Sequence, residues 1–429
     1  MNKQDGYILD TTYPVYFYKE MQPIWLKTIF DVMGLKTVEL DKSFSYLELG
    51  CAKGINLIIA AIYYPQAQFT GVDFNPEHIK FAQYIAQKLE LTNIEFIESN
   101  FEDFRKTNTD KFDFIVNHGT FSWISFEQQQ NILEIASKFL TDLGIFYLHY
   151  MCYPGSTDLQ PIQKLLNLVD QNSGLHSLDS IQRGQHLFMS LLKSGAYVDH
   201  PRMKQILKTF EQPDEYLAHE FLTDHWQPFY SVDLHKRVFN VAHTAFIGSA
   251  NLCDNIESVS IPTKLQSIVE ETQDPALKEY LKDIARNAKQ RCDIFQKLPS
   301  KLIVDQHLQT LANLKFTCVK KYNKKQNIVF KTSIGDIQAP QEIVQEVLNH
   351  IEQLDMSFAE LCKLEPFQNN LYFLIETLFL LMNADYIYPI VNESTKVDGV
   401  KVTVFNQIMQ DFNLKISLKN NGVVTTCST

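Results

Sequence analysis

The stretch Ser45-Tyr46-Leu47-Glu48-Leu49-Gly50-Cys51-Ala52-Lys53-Gly54 decides how the first third of the chain is read. An apolar run of strand length ends in an acid and a glycine, with a second glycine closing the turn. Glycines at a strand-to-helix turn let the backbone pass close to a ligand with no Cβ in the way. A dinucleotide fingerprint G-x-G-x-x-G starting at Gly50 would need glycine at 52 and 55. Those positions are Ala52 and Ile55, so the pyrophosphate-binding reading fails. The pattern acidic-x-Gly-x-x-x-Gly suits instead a nucleoside ligand that lacks phosphate and carries cationic groups, which Glu48 would face. Asp73, closing the next β-like run, can accept both hydroxyls of a ribose.

Outward from this turn, residues 44–151 alternate short β-like runs with helical ones, as a parallel sheet with crossover helices requires. Strands are expected at Ser45–Leu49, Gln68–Asp73, Ile94–Glu98, Phe112–Asn117 and Gly144–Tyr150. The helix after the second strand has the plainest signals. Asn75 caps it, Pro76 lies in its first turn, and Ile79, Ala82, Ile85, Ala86 and Leu89 recur at helical spacing. The third strand ends in Glu98-Ser99-Asn100-Phe101, where Asn100 offers a donor and an acceptor to an adenine edge and Phe101 a ring face.

Upstream, the aromatic stretch Tyr13-Pro14-Val15-Tyr16-Phe17-Tyr18 precedes a helical pattern over Ile24, Leu26, Ile29, Phe30 and Met33 that Gly34 closes. Downstream, residues 156–228 are helical without a strand signal and read as an insertion. Residues 231–297 hold a helix, a β run at Phe246–Ser249, more helix and a β-like segment near Asp293–Lys297, the material of a closing antiparallel pair. Residues 300–429 read as a separate α+β domain with helices near 340–354, 357–363 and 368–383 and a β-like Ala384–Ile390, a pattern compatible with a winged helix. The expected division is 1–155, 156–299 and 300–429.

A chain of 429 residues is long enough for two or three cores. Its 50 acidic and 39 basic side chains give a net charge of −11, which disfavours nucleic acid as the main partner. The basic cluster Lys320, Lys321, Lys324 and Lys325 reads as a solvated turn. Cysteines at 51, 152, 253, 292, 318, 362 and 427 form no CxxC pair, so neither a disulfide framework nor a metal site is expected. The opening MNKQDGYILD lacks the apolar core of a secretion signal, and the longest apolar run, Leu371 to Met382, contains Glu376 and is too short to span a bilayer. A reducing cytoplasm is the expected compartment, with no membrane insertion.

These residues resemble the class I S-adenosylmethionine (SAM) dependent methyltransferases. In that family an E/D-x-G-x-G-x-G loop, the acid ending strand two and the polar residue ending strand three hold the cofactor. The resemblance implies an α/β, Rossmann-like sheet and SAM as cofactor. It gives Glu48, Gly50 and Gly54 to the methionine end, Asp73 to the ribose, and Asn100 with Phe101 to the adenine, with Cys51, Ala52, Phe74 and Asn117 in the same loops. Two positions depart from the pattern: Ala52 replaces the middle glycine, and Asn100 stands where aspartate is common. A narrower resemblance covers more of the chain. Asn117-His118-Gly119-Thr120-Phe121-Ser122-Trp123 is similar to the H-G-x-[YF]-S-W motif of bacterial methyltransferases that carry a methyltransferase regulatory domain. Tyr13-Pro14, the segment from Tyr150 to Pro154-Gly155, and His219-Glu220-Phe221-Leu222 through Pro228-Phe229-Tyr230 fit the same group. That group includes rickettsial-type protein-lysine methyltransferases acting on an outer-membrane surface protein.

Methyl transfer is an in-line displacement at a sulfonium carbon. The protein mainly aligns the nucleophile and excludes water, and a base is needed only when the acceptor arrives protonated. In this fold the loop after strand four lies beside the transferable methyl, so His118 is the candidate catalytic residue. It either takes a proton from the acceptor or hydrogen-bonds the tight turn before Gly119. Tyr13, Tyr16, Phe121, Trp123 and Tyr150 are the candidate acceptor-site residues, with packing as the alternative role for Trp123 and the aromatic stretch. No [D/N]-P-P-[Y/F/W] motif follows strand four, which disfavours adenine and glutamine acceptors. Asn117 and Tyr150 do not supply the acids of a metal-dependent O-methyltransferase. The resemblance implies a protein lysine as acceptor; a small molecule, a glycan, or a non-catalytic SAM-binding adaptor are the alternatives. The additions after residue 155 favour a macromolecular acceptor or a homodimer.

Overall fold

Seven short, mostly apolar runs pair into one sheet in the computed structural model, which describes residues 3–323, 327–391 and 397–426. Lys324, Lys325 and Cys427 therefore lie outside the described residues. The strands are β1 (Ser45–Leu49), β2 (Gln68–Asp73), β3 (Ile94–Glu98), β4 (Phe112–Asn117), β5 (Leu140–Met151), β6 (Ala245–Ser249) and β7 (Gln290–Gln296). Their spatial order is β3-β2-β1-β4-β5-β7-β6. The first five run parallel, and β7 is inserted antiparallel between β5 and β6. Chain order reverses between β1 and β4, the switch point beside which open α/β sheets bind ligands at their carboxyl ends.

Side chains of period two give the sheet two apolar faces. Tyr46, Phe69 and Phe114 point to one face, against α1 (Pro23–Val32), α2 (Ile55–Tyr63) and α3 (Pro76–Lys88). Leu47, Leu49, Val72 and Ile115 point to the other, against α4 (Phe101–Thr107) and α5 (Phe126–Phe139). The insertion forms α6 (Gln160–Ser173), α7 (Ser177–Lys193), α8 (Met203–Thr209) and α9 (Asp214–Phe221) around a core of its own that includes Ile8, Leu166, Phe188 and Phe221. The chain then returns to the second face of the sheet through α10 (Ser231–Ala242).

The C-terminal domain places the strand Lys315–Cys318 between Met356–Ser357 and Ile387–Ile390, all antiparallel. Helices Gln341–Ile351, Phe358–Leu361 and Leu371–Asn383 form where the sequence pattern expects them, and Val304–Asn313 and Gly399–Asp411 add two more. Its apolar core is continuous with that of α1 to α3: Trp25 lies 6.0 Å from Tyr388, and the Tyr63 hydroxyl donates to the Lys419 carbonyl at 2.9 Å.

Two strands of the large sheet differ from expectation by more than one residue, and in the C-terminal domain the β-like Ala384–Ile390 is a strand only over Ile387–Ile390. β5 begins at Leu140 rather than Gly144, because its pairing with β4 shifts register between Phe112 and Phe114 and Leu143 takes a positive φ of 62°. β7 begins at Gln290 rather than Asp293, since its charges are buried in a network: Arg291 pairs with Glu279, Asp283 and Asp293. Among the described residues no helix is long and apolar enough to cross a membrane.

Candidate active site

At the carboxyl end of β1 the backbone folds into a tight loop. The amides of Gly50 and Cys51 donate to the Val72 carbonyl at 2.8 and 3.1 Å, and Gly54 N–H donates to the Cys51 carbonyl at 2.9 Å. Gly50 and Gly54 sit at φ +77° and +68°, the left-handed region. A Cβ at Gly54 would lie 2.4 Å from the Phe96 ring, and one at Gly50 would lie 2.5 Å from Thr120 Oγ1. Ala52, where the family pattern has glycine, holds φ +45° because its amide is tied to Asp73 Oδ2 at 2.8 Å.

Asp73 is a brace as well as a lining residue. Oδ2 accepts from Ala52, Oδ1 accepts from the Asn75 amide at 2.9 Å, and His78 Nδ1 lies 3.4 Å away. Asn75 in turn caps α3 by accepting from Glu77 N at 2.9 Å. Glu48 is held differently. It is buried at the end of β1, and among the described residues its Oε2 has no hydrogen-bond partner. Burial, with the Asp73 carboxylate second, raises its carboxyl well above the usual range. An unpartnered buried acceptor costs about 1–3 kcal/mol, which a ligand cation would recover.

These loops and the aromatic stretch enclose a cleft of about 1180 Å³. It gathers Glu48, Gly50, Cys51, Ala52, Gly54, Asp73, Phe74, Asn100, Phe101 and His118 with Tyr13 and Tyr16. The aromatic stretch is fixed over it: Tyr18 N–H donates to Asn56 Oδ1 at 2.9 Å and Tyr13 N–H to His78 Nε2 at 3.3 Å.

A second cavity of about 550 Å³ adjoins the first, and Tyr7, Tyr13, Tyr18, His118 and Gly119 line both. Its far side is formed by Trp123, His149, Tyr216, His219, Glu220 and Gln290. The His118 ring is stacked on His149 at 4.2 Å and lies tilted against Tyr18 at 3.9 Å, with Nδ1 2.7 Å from the Tyr147 hydroxyl. Burial, then the neighbouring His149, holds the His118 imidazole well below its usual range. The turn at Gly119 is bonded by His149, whose Nδ1 accepts the Gly119 amide at 3.1 Å. His118 does not make that bond.

Three expected site residues, Asn117, Phe121 and Tyr150, lie away from the cleft, and a fourth, Asn100, lines it while bonded to the protein. Asn100 borders the cleft, but its amide is engaged as the cap of α4: Oδ1 accepts from Asp103 N and Nδ2 donates to Asp103 Oδ2, both at 2.8 Å. Asn117 lies beneath the loops, donating to the Leu49 carbonyl at 2.8 Å, and does not border the cleft. Phe121 is fully buried, 5.5 Å from Phe229. Tyr150 is fully buried too, donating to Asp293 at 2.5 Å within the Arg291 network. His149 and Tyr216 are brought to the site without having been singled out, and Tyr18 and Glu220, quoted only within longer segments, join them there. For Glu220 a signal existed: it is the charged exception in the buried run Leu217–Leu222.

Residues 40–214 match the family model of a methyltransferase domain, and residues 213–297 that of a predicted methyltransferase regulatory domain. An uncharacterized protein of Synechocystis sp. is 31% identical over 425 residues, covering 96% of this chain and 82% of the relative. One from Rickettsia prowazekii is 26% identical over 355 residues, covering 81% of this chain and 62% of the relative. Among solved structures, PKMT2 from Rickettsia typhi in complex with AdoHcy shares the fold, with a TM-score of 0.72 at 21% identity over 97% of this chain and 86% of that one. The chain belongs to the SAM-dependent methyltransferases that carry a methyltransferase regulatory domain.

Proposed function

We propose that this methyltransferase acts on the side-chain amine of a lysine in another protein. The observation that carries the reading is the second cavity, which shares a wall with the cofactor cleft and has aromatic rings but, among the described residues, no lysine or arginine in its lining. Such a cavity suits a slender cationic side chain and opposes an anionic acceptor. The His118–Trp123 motif resembles that of methyltransferases carrying a regulatory domain, a group that includes protein-lysine methyltransferases; this supports the same reading, as does the fold shared with PKMT2.

The cleft residues fit SAM. Glu48 has an oxygen without a protein partner, suited to the cofactor's cationic amino group, and Gly50 and Gly54 leave a cradle that a Cβ would fill. Asp73 keeps lone pairs beyond its two amide bonds for the ribose hydroxyls. Phe74 and Phe101 supply apolar flanks. When bound, SAM supplies an electrophilic methyl carbon. The chain's own part is to orient the acceptor and exclude water. His118 serves there as a neutral wall common to both cavities, because burial makes it a weak base.

Incubation with methyl-tritiated SAM and a cell-protein extract, followed by acid hydrolysis and chromatography, tests the acceptor. Label is expected in methylated lysine. Label confined to lipid, glycan or small molecules overturns the proposal.

A further inference from the structure

Building on the lysine reading, we propose that Glu220 is the anionic end of the acceptor site: its carboxylate pairs with the incoming ammonium and takes the proton that must leave before the nitrogen can attack. Glu220 lies on α9, buried to 9% exposure, and borders the second cavity. Its carboxylate has one hydrogen bond, from Trp226 Nε1 at 3.4 Å, and forms no ion pair among the described residues. Trp123 Nε1 donates to its backbone carbonyl at 3.2 Å, so the helix is held from below while the side chain keeps capacity for a ligand.

The rest of the cavity makes that capacity specific. Tyr7, Tyr13, Tyr18, Tyr216 and Trp123 line it with π faces and edges, and Tyr13 and Tyr216 lie 6.2 Å apart. Three imidazoles also face the space. Burial pushes those of His149 and His219 down to about 4 and that of His118 well below its usual range, so none brings positive charge near neutral pH. Among the described residues the lining thus holds one acid amid aromatic rings and no cation, the chemistry that recognises an alkylammonium. An anion is repelled there, and a neutral hydroxyl gains neither the ion pair nor the cation–π contact.

Burial raises the Glu220 carboxyl to about 7. A carboxylate with that affinity is poised to exchange a proton with an amine at neutral pH, and His118 is a poorer acceptor. In the step proposed, an N–H bond of the ammonium breaks and its proton moves to the Glu220 carboxylate. The freed lone pair forms the N–C bond as the C–S bond breaks, and that bond's electron pair stays on sulfur. Positive charge passes from the sulfonium to the methylated amine, and the proton on Glu220 is the one released to solvent in each turnover.

Calorimetry on the full chain saturated with AdoHcy tests this, with n-butylammonium as the probe. Glu220→Gln is expected to weaken probe binding at least about tenfold, with AdoHcy affinity on the same sample within about twofold. Tyr216→Leu, which removes one aromatic face, is expected to weaken the probe about three- to tenfold. The groups facing Glu220 are Tyr7 and Tyr216, both neutral near pH 7, and the buried His118, His149 and His219. Wild-type affinity for the probe is therefore expected to fall as pH drops below about 7, and that of Glu220→Gln to stay flat. Equal probe binding by wild type and Glu220→Gln overturns the proposal. If that variant loses AdoHcy as well, a flat wild-type profile overturns it instead. The lysine reading fails separately, by label outside lysine, even where the probe still depends on Glu220.

Discussion

The cofactor cleft and the aromatic cavity behind it treat a buried acid in opposite ways. In the cleft, Asp73 is surrounded by donors: two backbone amides and a histidine fix it, and through it they fix the loop. In the cavity, the Glu220 carboxylate has, among the described residues, a single long bond from an indole, and burial shifts it accordingly. Glu48 stands between the two, inside the cleft yet with an oxygen left unpartnered. Where the chain supplies amides, the carboxylate shapes the backbone. Where it withholds them, the charge is kept for a visitor.

The comparison breaks most severely at the loop. Gly54→Ala forces a side chain into the left-handed region and against Phe96, and is expected to destabilise the protein by about 2–4 kcal/mol. Chemical denaturation reads this, and an unchanged midpoint would mean the loop has slack.

Glu220→Gln should act with the opposite sign. A folded-state value above the unfolded one means the native protein holds the proton more tightly. That contribution is complete below the unfolded value and is lost as pH rises through about 7. The ligand-free variant is therefore expected to gain about 2–3 kcal/mol on wild type between pH 4.5 and 8. Melting curves at both ends of that window suffice, and a constant difference would refute the assignment.

Within the cleft, Glu48→Gln is expected to weaken SAM by about 2 kcal/mol, roughly thirtyfold. Calorimetry decides, and an unaltered affinity would remove Glu48 from the cofactor site. The smallest effect belongs to Asn100→Ala. Loss of the cap should cost about 1 kcal/mol of stability and leave SAM affinity within about twofold, because the amide is already engaged by Asp103. A large drop in affinity would restore Asn100 to the adenine.

The parallel strands and α3 were legible in the sequence because each signal there is local: an apolar run, a cap, a proline, a turn glycine. The same holds for the cleft loops, which lie at the ends of successive strands. The aromatic cavity is assembled from residues near 7–18, 118–123, 149 and 216–220, and no window of sequence contains it. Tyr150 read as a site residue from its place at the end of a strand, but a network closed by Arg291 and Asp293, far along the chain, claims its hydroxyl. Helix Gly399–Asp411 was hidden by Val400, Val402 and Val404, whose alternation mimics a strand.

The paired indole contacts to Glu220 have an optical consequence. The chain holds three tryptophans: Trp25 is bonded to the Ala250 carbonyl, while Trp123 and Trp226 both donate to Glu220, one to its backbone and one to its carboxylate. Two of the three tryptophan fluorophores thus sit on the acid whose charge an entering amine would change. Emission intensity and wavelength should report occupancy of that space in the unlabelled protein.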